Sequence, residues 1–143
     1  MIINSDCNEI PIVNGILYPN HTIQTFDVFK SGFERKVIFK EKIKYNKKMI
    51  WANMYIIDEC FCESKRLMFY SGETSWGGDG FILCEYKDNK DFLWLLSSSK
   101  SNPFISIKIV NGYLFAENNC REIWKINMLK KEIKVEIVGQ SFF

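Results

Sequence analysis

Ile105-Ser106-Ile107-Lys108-Ile109-Val110-Asn111-Gly112-Tyr113-Leu114-Phe115-Ala116 is the stretch whose reading decides the fold. Two apolar-rich runs flank an Asn-Gly pair, and Asn-Gly supplies the two positive-φ residues that a two-residue type I′ turn needs. The segment therefore reads as a tight β-hairpin. Downstream, Glu122-Ile123-Trp124-Lys125-Ile126 and Ile133-Lys134-Val135-Glu136-Ile137 nearly alternate apolar and charged residues. That alternation marks strands with one packed face and one wet face.

Upstream, the same rhythm continues. Apolar-rich runs bounded by Gly, Asn, Asp or Ser recur every ten to fifteen residues and read as strands near 10–13, 16–18, 22–29, 34–45, 48–57, 65–70, 80–87, 91–97, 104–110, 113–117, 121–127 and 132–138. A second Asn14-Gly15 lies between Ile12-Val13 and Ile16-Leu17, and Lys87-Asp88-Asn89-Lys90 joins two more apolar runs, so tight connections are expected. Met49-Ile50-Trp51-Ala52-Asn53-Met54-Tyr55-Ile56-Ile57 is apolar on both parities and predicts a central strand covered on two sides. Only Asp58 to Lys65 leaves room for a helix, and β-favouring Phe61 argues against one. The expectation is one all-β domain over residues 1–143, an antiparallel sandwich or a strongly curved sheet with short hairpin connections and less than a tenth of its residues helical.

Composition supports this class. Aromatic residues make up 15% of the chain and 12 residues are Phe, which suits a pleated, half-buried surface. The formal charge of +2 is too small for a typical nucleic-acid binder. Its distribution is uneven: residues 30 to 48 hold eight bases against two acids, and residues 58 to 91 hold eight acids against four bases. The N-terminal Met1-Ile2-Ile3-Asn4-Ser5-Asp6 lacks the basic and apolar regions of a signal peptide, and the longest apolar runs fall far short of a membrane span. A cytoplasmic protein with no membrane association is therefore expected. The odd, scattered set Cys7, Cys60, Cys62, Cys84 and Cys120 then reads as free buried thiols. In that compartment the Asn20-His21-Thr22 sequon has no meaning.

Groups that could carry chemistry are sparse. His21 is the single histidine, so any Ser-His-Asp or Cys-His arrangement must use it, and it sits in a turn with no nucleophile motif beside it. Cys60 and Cys62 point to one face of a strand but supply only half of a tetrahedral zinc site, so no bound metal and no cofactor are expected. The paired acids Asp88 and Asp91, or Glu73 and Asp79, sit where turns favour acids for their local hydrogen bonds. Trp76-Gly77-Gly78-Asp79-Gly80 lacks the Lys-Ser/Thr of a phosphate loop and reads either as an irregular loop or as a loop carrying recognition. The basic run from Arg35 to Lys48 alternates with Val37, Phe39, Ile43 and Tyr45, as in an amphipathic strand pair with a solvated basic face.

From Leu67 to Ile137 the chain resembles the small immunity proteins of bacterial polymorphic-toxin and contact-dependent growth inhibition systems. The resemblance is carried by Phe69-Tyr70-Ser71-Gly72, Ser75-Trp76-Gly77-Gly78-Asp79-Gly80-Phe81, Asp91-Phe92-Leu93-Trp94-Leu95 and Ser101-Asn102-Pro103-Phe104. The Asn111-Gly112 hairpin and Glu122-Ile123-Trp124-Lys125-Ile126 complete it. It implies a protein that catalyses nothing and neutralises a cognate toxin domain by binding it. Immunity proteins against nucleases are often strongly acidic, and this chain departs from that pattern. Charge complementarity nevertheless directs attention to the acidic segment, with Asp58, Glu59, Glu63, Glu73, Asp79, Asp88 and Asp91 as partner-binding residues and Trp76 as the anchor. The alternative for Trp76 is a core residue capping one end of the sheet. Two other functional classes stand beside this one: a self-assembling structural or accessory β protein, and a small hydrolase built on His21. An immunity protein is expected to be monomeric when free.

Overall fold

The computed structural model describes residues 2–128 and 131–140. Twelve strands follow one another: β1 (Glu9–Pro11), β2 (Gly15–Leu17), β3 (Thr22–Ser31), β4 (Glu34–Lys44), β5 (Trp51–Cys62) and β6 (Leu67–Thr74), then β7 (Gly80–Tyr86), β8 (Phe92–Ser98), β9 (Phe104–Val110), β10 (Tyr113–Asn118), β11 (Glu122–Asn127) and β12 (Lys134–Gln140). The described residues contain no helix, and the all-β expectation holds. Eight strands form one antiparallel sheet in the order β1-β5-β6-β7-β8-β2-β3-β4, and four form a second in the order β12-β11-β10-β9.

The decisive hairpin forms as read. Val110 pairs with Tyr113 across Asn111 (φ 51°) and Gly112 (φ 80°), the two left-handed residues of a type I′ turn. Asn14-Gly15 looks alike in sequence but does something else. β1 pairs with β5 whereas β2 pairs with β3 and β8, so this connection joins strands that are not neighbours.

That connection dictates the curvature of the large sheet. In a flat sheet, β1 and β2 would stand about 24 Å apart, with four strands between them at ~4.8 Å spacing. The four steps from Pro11 to Gly15 reach at most about 14 Å. The sheet must therefore curl until β1 returns toward β8 and β2. The Ser97 hydroxyl records the closure: it donates to the Pro11 carbonyl at 3.0 Å and accepts from the Val13 amide at 2.9 Å. The sheet is strongly curved but does not close into a barrel.

Strands β7 and β8 alternate between two cores. Ile82, Cys84, Trp94 and Leu96 face the small sheet, where they meet Phe69, Phe104, Trp124 and Phe26. Phe81, Leu83 and Leu95 face the other way, into a cluster with Ile10, Leu17, Ile23 and Ile3 inside the curl. The segment before β1 lids that second cluster and is latched by Ser5, which donates its hydroxyl and amide to the buried Glu85 carboxylate at 2.5 and 3.1 Å. In the first core, Trp124 is fully buried, edge-on to Phe104 with ring centroids 5.2 Å apart. Its indole N–H donates to Glu122 Oε1 at 2.8 Å.

The run Met49–Ile57 is not covered on both sides as its apolar parities suggest. Ala52 and Met54 are buried, but Tyr55 is 49% exposed, Ile56 40% and Ile57 44%. The small sheet reaches β5 from Asp58 onward, where the Asp58 carboxylate accepts the Ile107 amide at 2.9 Å. A bulge between Ile56 and Asp58 leaves Ile57 opposite no partner in β6 and shifts the facing of the residues that follow. Residues 58–62 continue as strand rather than helix.

A candidate partner-binding surface at the Trp76 loop

The β6–β7 loop is short and held on three sides. The Thr74 hydroxyl donates to Asp79 Oδ2 at 3.2 Å and accepts the Trp76 amide at 3.4 Å. Ser75 and Asn53 exchange hydrogen bonds, each 3.1 Å long, and the Asn102 amide donates to the Gly78 carbonyl at 2.9 Å. Gly77 (φ 67°) and Gly78 (φ 74°) take left-handed conformations that reverse the chain within two residues. This turn lifts Trp76 out, 60% exposed, and tucks Asp79 in, 5% exposed.

Trp76 is thus an exposed aromatic on an anchored loop and not a core tryptophan. The surrounding segments add more apolar surface. Tyr55 lies opposite Glu73 in the β5–β6 register, Ile56 and Ile57 follow it, and Ile105, 42% exposed, stands two residues before the Ile107 amide that bonds Asp58. Glu73 is half-buried at the edge of this group.

The acidic segment does not form one patch. Asp79 is a correction to the expected interface: its carboxylate is buried, bonded to Thr74, and held above its usual range by desolvation. Asp58 is half-buried and spends one oxygen on Ile107, fastening the small sheet to β5. Glu59 is exposed beside Tyr70 in register, and Glu63, Asp88 and Asp91 are exposed at the opposite end of the β5–β6 and β7–β8 hairpins from Trp76. There Arg66 grips Asp88 through Nη2 at 2.7 Å and Nε at 2.9 Å, which draws the carboxyl below and the guanidinium above their ordinary ranges. Lys65, Lys87 and Lys90 stand at the same end, so that end is mixed in sign. Of the expected contacts, Trp76 stands exposed on the loop and Glu73 half-buried on the strand that leads into it. Periodicity predicts cover on both sides of Met49–Ile57 because it registers apolar residues and not what covers them.

His21 occupies the β2–β3 turn, exposed, with φ 69° and its ring edge-on to Tyr45 at 6.2 Å. All five cysteines are free; Cys60 and Cys62 pack on the core between the sheets, and burial pushes the Cys84 thiol far up. Among the described residues, no three His, Cys, Asp or Glu side chains gather where they could hold a metal ion, and no helix is long and apolar enough to cross a membrane.

Fold and surface together define a double-sheet β protein with an exposed aromatic loop. In comparisons with known proteins, the chain matches no family model, no curated protein and no solved structure.

Proposed function

We propose that the chain is an immunity protein that binds a cognate bacterial toxin domain and neutralises it by covering it, without turnover. The observation that carries this reading is Trp76, 60% exposed on a loop fixed by Thr74, Asn53 and Asn102. Aromatic anchors on rigid backbone supply most of the affinity in protein interfaces and cost little ordering entropy on binding. Tyr55, opposite Glu73 in the β5–β6 register, is a second exposed aromatic near the strand that leads into the loop, and Glu73 adds a charge there. The Leu67 to Ile137 resemblance agrees with it, since Trp76 lies within the motif that carries the likeness.

The test is co-expression with the growth-arresting toxin domain that this reading expects a neighbouring reading frame to encode. Growth is restored by the chain and lost again with Trp76→Ala if the reading holds; continued growth arrest in the presence of folded wild-type protein overturns it. The same apolar surface also suits a second reading, self-assembly of a structural β protein. Gel filtration separates the two: a monomer at all concentrations fits the immunity protein, and a concentration-dependent oligomer fits the assembly.

A further inference from the structure

The opposite end of the large sheet presents a different surface. β4 stands last in the strand order, so one side of its backbone pairs with no strand among the described residues. Arg35, Val37 and Phe39 of β4 turn inward, where Arg35 meets Glu122 at 3.1 Å and Lys134 lies over the Phe39 ring at 5.4 Å. β12 therefore packs against the inward face of β4.

Two clefts open between the sheets, the first over β3 and the second between the start of β4 and the end of β12. One, about 350 Å³, is lined by Tyr18, Phe39, Lys42, Leu93, Ile133 and Lys134. The other, about 430 Å³, is lined by Phe33, Arg35, Lys36, Ile137 and Val138. Both have apolar walls; the first sets Lys42, Lys131 and Lys134 against Glu132, and the second balances Arg35 and Lys36 with Glu34 and Glu122. Volumes of this size are in the range of binding sites and are ample for one large side chain. β4 itself carries Arg35, Lys36, Lys40, Lys42 and Lys44 against Glu34 and Glu41.

We propose that an extended acidic segment of a partner protein adds to β4 as a ninth strand of the large sheet, with one inward-facing apolar side chain filling the cleft beside Ile137 and Val138. Strand addition to an open edge gives affinity through backbone hydrogen bonds and specificity through alternate side chains in pockets. Lysines on an edge also keep sheets from aggregating. The same lysines choose the occupant: a second copy of β4 would set like charges opposite one another, which is unfavourable, whereas an acidic strand pairs them. The surface is separate from the Trp76 loop and does not depend on the toxin reading.

The experiment selects from a displayed library of random peptides about ten residues long, enough to span β4 at ~3.3 Å per residue, on the immobilised full chain. Enriched peptides are expected to be acidic, with an apolar residue at one fixed position. N-methylation of the peptide amides that face β4 lowers affinity at least tenfold, while methylation at the other parity does not. Lys36→Glu with Lys40→Glu lowers it as much, with melting unchanged, and Trp76→Ala has no effect. The proposal is overturned if no peptide is enriched, if the enriched peptides are neutral or basic, or if methylation at both parities acts alike. Sedimentation that shows the peptide dissociating a dimer of this chain through β4 also overturns it.

Discussion

Glu122 ties the two sheets together, and removing it tests how the fold is held. The residue is 8% exposed. Its Oε1 accepts the Trp124 indole N–H at 2.8 Å and an Asn118 amide hydrogen at 3.1 Å, and its Oε2 lies 3.1 Å from Arg35 Nε. That nitrogen is close enough for an ion pair but is not aimed well enough for a hydrogen bond. Arg35 is fixed from the other side by donating to the Lys100 carbonyl at 2.8 Å. Glu122→Ala leaves the Trp124 N–H fully buried without its partner and strands a guanidinium that is 27% exposed. An orphaned buried donor costs about 1–3 kcal/mol, and breaking a buried pair about 3–5 kcal/mol. The two overlap and do not add, and Arg35 keeps some solvent, so about 3 kcal/mol is expected. At this chain length that lowers Tm by roughly 10 °C. Glu122→Gln keeps the acceptor for Trp124 and costs about 1–2 kcal/mol. Urea unfolding followed by tryptophan fluorescence measures both, and a double-mutant cycle with Arg35→Met apportions the charge component. A Glu122→Ala cost under about 1 kcal/mol refutes the reasoning, because a buried donor and cation left alone cannot be that cheap.

Asp79→Asn is expected to be at least as stable as the parent at neutral pH. The folded carboxyl is raised by desolvation, so its charged form opposes folding above the folded pKa; the parent gains on the variant as pH falls through that value toward the unfolded pKa, and melting across pH 3 to 7 reads it. Native Cys84 is expected to resist thiol reagents, being 1% exposed with its ionisation suppressed by burial, while exposed Cys120 reacts at once; labelling and mass spectrometry locate the modified site. Gly112→Val places a β-branched residue at φ 80° and is expected to cost about 1–3 kcal/mol in thermal melting, whereas Asn111→Gly is nearly neutral.

The strands were legible because their signals are local. Asn111-Gly112, the alternation in Ile133 to Ile137 and the polar punctuation between runs each act within a few residues, and all twelve strands stand where those signals put them, to within a few residues at their ends. What escaped is long-range. Asn14-Gly15 carries the same hairpin signature as Asn111-Gly112, yet β1 is claimed by β5 some forty residues on, and that choice curls the sheet. The Met49–Ile57 run shows both parities apolar, but the small sheet stops short of it and a bulge turns Ile57 out. Asp79 and Trp76 are close in sequence and opposite in fate, because two left-handed glycines reverse the chain between them. For Trp76 the sequence leaves anchor and core residue both open, and the structure decides only that it is exposed. The acids at the far hairpin ends were grouped with it by sequence proximity, which a strand some eight residues long undoes.

The most direct measurement of the central claim is calorimetric titration of the toxin domain that the proposal expects from a neighbouring gene into the wild-type chain and into Trp76→Ala, with thermal melts of both. Trp76 is mostly exposed, so its truncation is expected to leave the melt nearly unchanged while weakening binding by about 30-fold or more, the equivalent of ~2 kcal/mol. Equal affinity of the two proteins, with both folded, contradicts the account.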